Sequence, residues 1–215
     1  MSDDYVFPDL PLPDIAPGTS LLVAGPTHGG VRDLASRMIR SPNGEGAIVV
    51  TTNKSAERLV RDYRDSGADV GPDTLSIVDC TDGSGDVAEA RVLSVSGPED
   101  LTGIGIRFSD AYRKFASEDI KRVRTGVFSL STLLSFSDLQ TASRFVHTLA
   151  GRIGKTGGIG LFLIDPGMHD DRTISTASQF CDGRIEVREG ADSAELRTRG
   201  IPDDSDYWRA FDTHD

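Results

Sequence analysis

Short apolar runs recur along the chain, and amphipathic helical patterns separate them. Ser20–Ala24, Ala47–Val50, Leu75–Val78, Gly126–Leu130 and Ile159–Ile164 are dominated by Val, Ile, Leu, Ala and Phe, with no alternation of polar residues. A strand that is apolar on both faces is covered on both faces, which is the situation of a parallel sheet between helical layers. Arg91–Val95 reads as a further strand. Between the runs, apolar residues return at helical spacing: Leu34, Met38 and Ile39; Leu59, Val60 and Tyr63, with Ser55 as cap and an end near Gly67; Phe108, Ala111, Tyr112 and Phe115; Phe145, Val146 and Leu149; and Thr173–Phe180. Pro98-Glu-Asp100 has the Pro and acids of a helix start. Gly183–Glu189 and Ala194–Arg199 alternate with period two about Gly190–Ser193 and predict a terminal hairpin. The fold class is therefore α/β, a mostly parallel sheet with a C-terminal β-hairpin.

Three stretches follow from this pattern. Residues 1–18 carry Pro8, Pro11, Pro13 and Pro17 and predict an extended lead-in. Residues 19–201 form the domain. Residues 202–215 read as an acidic tail in which Trp208 and Phe211 dock onto the domain or meet a partner. No stretch approaches the ~20 apolar residues of a membrane span. The acidic, Pro-rich start is unlike a secretory leader, so a cytoplasmic location is expected. Two cysteines, Cys80 and Cys181, exclude a disulfide framework and read as small buried hydrophobes.

The charge is strongly one-sided. The net charge is -11, with 26 Asp, 8 Glu, 19 Arg and only 4 Lys. Direct nucleic-acid binding by such a chain is disfavoured, because cations are needed to displace counterions from phosphate. Short carboxylates and few ammonium stems predict a surface adapted to concentrated salt, which screens self-repulsion.

In open α/β sheets the ligand crevice lies beyond the carboxyl ends of the strands. Those ends are Gly25–Arg32, Thr51–Lys54, Asp79–Asp82, Ser129–Thr132 and Asp165–His169. The first, Gly25-Pro-Thr27-His28-Gly29-Gly30-Val31-Arg32, stands where a phosphate loop G-x-x-x-x-G-K-[ST] would. Its outer glycines are correctly spaced. Val31 occupies the Lys position and Arg32 the Ser/Thr position. Backbone N–H groups could still attract an anion there. The ammonium for the outer phosphates and the hydroxyl for magnesium are missing.

This loop, with Ser96–Ile106, Thr125–Leu134, Phe180–Glu189 and Glu195–Gly200, resembles the RecA-superfamily, KaiC-like ATPases, and more closely an uncharacterised haloarchaeal branch of them. The resemblance spans roughly residues 15–205. It implies a RecA-like, P-loop NTPase-type three-layer fold. It also implies ATP chemistry at groups this chain replaces. KaiC-like enzymes end their second strand in a Thr-Phe-Glu-Glu-Ser-type segment, where Thr51-Thr52-Asn53-Lys54-Ser55 stands here. Their magnesium-associated strand ends Asp-Ser-Leu-Ser, where Phe128-Ser129-Leu130-Ser131 stands here. Phosphoryl transfer depends on such groups for positioning and charge neutralisation.

The expectation is a degenerate domain without catalytic or metal-binding residues, acting in regulation or signalling through a protein partner or a homo-oligomer. No cofactor is expected, and weak ATP or phosphate binding stays compatible with the loop. Two alternatives stay open: an ATPase using Arg32 and Asp165 as unorthodox ligands, and a recombination or DNA-repair accessory protein. Among the remaining residues, His28 reads as solvated. Asp165–Asp171 reads as a turn followed by a helix cap at Asp170 or Asp171, with a metal site as alternative. Lys121–Arg124 reads as a solvated basic loop. Pro98–Ile106 reads as a cap followed by a close-packing site at Gly103 and Gly105.

Overall fold

The apolar runs all become strands because each is buried on both faces: β1 (Ser20–Ala24), β2 (Gly46–Thr51), β3 (Leu75–Asp79), β5 (Val123–Phe128) and β6 (Ile159–Ile164) have no exposed residue. The structure is a computed structural model that describes residues 3–42, 44–65, 68, 70–81, 83, 87–202 and 205–213. Among these residues β4 (Arg91–Ser94), β7 (Gly183–Glu189), β8 (Ala194–Arg199) and β9 (Ser205–Phe211) complete one nine-stranded sheet of order β4-β3-β2-β5-β6-β1-β7-β8-β9. All pairings from β4 to β7 are parallel, and the last two are antiparallel.

Helices cover both faces. α1 (Val31–Ile39) and α2 (Ala56–Asp65) share one core with the N-terminal arm, while α3 (Leu101–Ser117), α4 (Leu130–Phe136), α5 (Leu139–Thr156) and α6 (Asp171–Ser178) pack in a second core on the other face. The fold is thus the expected three-layer α/β arrangement with a C-terminal hairpin. Aspartates start three of the helices: Asp100, Asp138 and Asp170 each accept the N–H three residues on, at 2.7, 2.9 and 2.8 Å. Among the described residues no helix is long and apolar enough to cross a membrane.

Four local readings change. The run Gly126–Leu130 does not continue as a strand: β5 stops at Phe128, Ser129 turns with φ 94°, and its hydroxyl accepts the Thr132 N–H to start α4. α3 begins at Leu101 rather than at Pro98, because Asp100 takes the cap and leaves Pro98 in the preceding turn. A Cβ on Gly103 would crowd the Asp100 carboxylate that caps the helix; Gly105 is not a close-packing site, for a Cβ there meets nothing within 4 Å. Lys121–Arg124 is a solvated loop only at its start, where Lys121 is exposed. Arg124 is 2% exposed in β5, pairs with Glu45 at 2.6 Å and faces the Tyr5 and Phe7 rings.

The segments at both ends lie against the domain. The N-terminal arm buries Tyr5, Phe7, Leu10 and Ile15 and closes on itself through a Tyr5–Ile15 bridge. Within 202–215, which read as a tail, Ser205–Phe211 is strand β9 on the β8 edge. The hairpin is therefore the first part of a three-stranded antiparallel edge. Asp82 and Ser84–Asp86 of the Gly-rich loop, and Gly67, lie outside the described residues.

Candidate functional site

Parallel pairing aligns the strand ends from which a site is built. Ala24 pairs with Ile164, and Thr51 with Phe128, so the segments after β1, β2, β5 and β6 emerge together. The loop after β1 leaves the sheet at Gly25, where a Cβ would lie 2.8 Å from the Val187 carbonyl oxygen. Gly29 donates to the Pro26 carbonyl at 2.9 Å. Gly30 adopts φ 84°, a left-handed conformation that favours glycine, and opens α1.

The sequence pattern brings together Gly25, Thr27, Val31, Arg32, Phe128 and Ser129. They line one small cavity with Ser131, Leu163, Ile164 and Asp165. Its volume is about 20 Å³, room for about one water molecule. Val31 and Phe128 form part of its wall. They are 4% and 3% exposed and belong to the same apolar core. Both are thus core positions.

The remaining polar groups are largely committed to one another. Asp165 Oδ2 accepts from the Thr27 N–H at 2.9 Å and the Thr27 hydroxyl at 2.7 Å, and Oδ1 accepts from the Gly167 N–H at 2.9 Å. Burial works to raise the Asp165 pKa, but the Thr27 and Gly167 hydrogen bonds prevail and hold it below the usual carboxylate range. The Asp165 N–H donates to Ser131 Oγ at 3.0 Å. Arg32 is half-buried and donates to Asn53 Oδ1 at 3.4 Å. Burial, with Arg58 nearby, lowers its pKa. Lys54 does not enter the cavity, since its ammonium pairs with Asp62 of α2 at 2.6 Å. His28 is exposed at the loop tip, and Gly29 is buried.

Asp79, at the end of β3, is 1% exposed and tied down locally. It accepts from the Ala56 N–H at 3.0 Å and from the N–H and hydroxyl of Thr81. It therefore secures the first N–H of α2, while Ser55 holds the position before the helix and accepts the Leu59 N–H on its carbonyl. Among the described residues no three His, Cys, Asp or Glu side chains converge as a metal site would require. Asp170 caps α6. Burial pushes the Cys80 and Cys181 thiols up to about 12; Cys80 is a buried hydrophobe as expected, whereas Cys181 is only partly buried.

One covering element was not legible from motifs. A Cβ on Gly30 would lie 2.8 Å from Thr213 Cγ2 and 2.9 Å from Ala194 Cβ, with Phe211 close behind. The C-terminal edge of the sheet therefore sits over the loop. The available signal was the apolar Phe211 beside Trp208 in an otherwise polar stretch.

The model of a family of unknown function, DUF7504, matches residues 18–187. The chain belongs to the DUF7504 family. No curated protein matches it. Among solved structures, the crystal structure of the KaiC-like protein PH0186 from the hyperthermophilic archaeon Pyrococcus horikoshii OT3 is similar, with a TM-score of 0.59 and 18% identity over 90% of this chain and 82% of that one. At that identity the likeness concerns the fold, and it places this DUF7504 member on a RecA/KaiC-like architecture.

Proposed function

We propose that this protein is a degenerate RecA/KaiC-like domain that does not hydrolyse ATP and acts as a regulatory or signalling module through protein contacts. The observation that carries the reading is the burial of Val31 and Phe128 in one core around a cavity of about 20 Å³. A triphosphate with magnesium needs an open cradle and charges of both signs at those two positions. Here two buried apolar side chains stand at those positions. Opening such a cradle would expose core side chains and cost apolar burial as well as lost contacts.

The arrangement also counts against rebuilding the site from other ligands. Asp165 is held by Thr27 and Gly167, and Arg32 leans on Asn53. Of the loop amides, Thr27 serves Asp165 and Gly29 serves Pro26, which weakens the nest for an anion.

Calorimetry with magnesium–ATP in concentrated potassium chloride tests the proposal. The expected result is no binding at micromolar nucleotide and no phosphate release above a denatured control. Micromolar affinity, or hydrolysis that disappears in Arg32→Ala, overturns it.

A further inference from the structure

A groove between α3 and α5, on the face of the sheet opposite α1 and α2, has a volume of about 570 Å³. Leu101, Ile106, Phe145 and Leu149 line it, and Ile106 is 54% exposed. Arg113, Arg144 and Arg152 rim it, and none of the lining residues is acidic. This is unusual in a chain of net charge -11. α5 itself carries no Asp or Glu over 18 residues. Arg113 is paired with Asp110 of its own helix. Arg144 and Arg152 make no ion pair among the described residues, and Arg152 donates only to the Gly105 carbonyl, at 3.2 Å. Two arginines thus stand beside an open apolar floor with their charge uncompensated.

Gly105 is the second observation. It lies inside α3, where glycine weakens a helix relative to alanine. Nothing inside the molecule calls for it, because a Cβ would meet nothing within 4 Å. The missing side chain instead deepens the groove beside Ile106.

We propose that the α3–α5 groove is the docking site of an acidic amphipathic helix from a partner protein. Its apolar side chains rest on the floor between the two helices, its backbone approaches α3 at Gly105, and its carboxylates meet Arg144 and Arg152. The groove runs along α5 from Thr141 to Arg152, about 16 Å, or three helical turns. Helix-in-groove recognition uses anchors at i, i+3/i+4 and i+7, which this length accommodates. Charge complementarity selects the acidic partner and speeds its encounter. The inference rests on the reading of the domain as one that works through contacts.

The probe is a fluorescent three-turn helical peptide with Leu anchors on one face and Glu beside them, compared with the same peptide carrying Lys for Glu. Anisotropy in moderate potassium chloride is read for the full chain and for two variants. The Glu peptide is expected to bind the native chain about tenfold or more tighter than the Lys peptide. Arg144→Glu with Arg152→Glu is expected to erase that preference. Gly105→Leu places a side chain in the groove from a position whose Cβ meets nothing within 4 Å and is expected to weaken binding about tenfold or more, with Gly105→Ala, expected to keep or raise the melting midpoint, as the control for folding.

Equal binding of the two peptides, or full binding by Gly105→Leu, overturns the proposal. Groove variants that dissociate an oligomer of the native chain assign the groove to a second copy and overturn it too. Tighter binding of duplex DNA than of the Glu peptide through the same arginines does likewise. Magnesium–ATP calorimetry on the same preparations separates the two readings. Nucleotide turnover defeats the contact-based function, whereas absence of both turnover and peptide binding defeats the groove alone.

Discussion

Phe128 and Asp165 show how two single residues decide the character of the strand ends. Phe128 ends a buried strand, and its side chain lies in the apolar core while lining the small cavity beside the loop after β1. Phe128→Ala is expected to cost about 3–5 kcal/mol, seen as a lower denaturation midpoint, without creating magnesium–ATP affinity in calorimetry. Asp165 acts in the opposite direction, as a charge held in place by hydrogen bonds. Because its folded pKa lies below the ordinary value, its contribution to stability is complete above the unfolded value of about 3.9. That contribution fades as pH falls through the lower folded value. Asp165→Asn is therefore expected to destabilise by a constant amount near neutrality, with the difference from the native chain shrinking below about pH 4. Thermal melts across pH check this, and a difference that persists unchanged into acid contradicts it. The sequence named both positions. It could not say that Asp165 would turn to Thr27, because that bond joins residues 138 apart in the chain.

At the scale of elements, the C-terminal edge departs most from its sequence pattern. Ser205–Phe211 reads as a polar tail, yet it pairs with β8 and places Trp208 beneath Arg188 and Arg197, at 4.1 and 4.6 Å. An edge strand of mixed polarity has no strong period, and only its partner reveals it. A chain ending at residue 202 is expected to lose the cover over Gly30 and to expose the β8 edge. The expected outcome is a melting midpoint lower by several degrees and aggregation visible in light scattering. An unchanged midpoint would show that β9 adds nothing to the fold. The basic run Lys121–Arg124 illustrates the same point. Its charges look solvated in sequence, but Glu45 and the aromatic rings of the N-terminal arm draw Arg124 inside. The apolar strands β1, β2, β3 and β6, by contrast, are legible at once, because nothing but a doubly covered sheet tolerates them.

Over the whole molecule, the charge of -11 is the dominant long-range force. The repulsion acts only within about a Debye length and is screened beyond it, about 10 Å at 0.1 M salt and about 3 Å at 1 M. The melting midpoint is therefore expected to rise steadily from dilute to molar potassium chloride, and an unchanged or falling midpoint would contradict the salt-adapted reading. Sequence alone determined the α/β class, the run of buried strands, the placing of a glycine-rich loop after the first of them, and the apolar character of Val31 and Phe128. These are local facts: burial on both faces is written in each run, and an apolar side chain needs no partner to be apolar. Tertiary structure alone decided the strand order, the closing of the loop cavity, the seat of the C-terminal edge over Gly30, and the open Gly105 beside Arg152. Each of these depends on which distant surfaces meet, and a side chain's neighbours across the sheet are not encoded in its own stretch of chain.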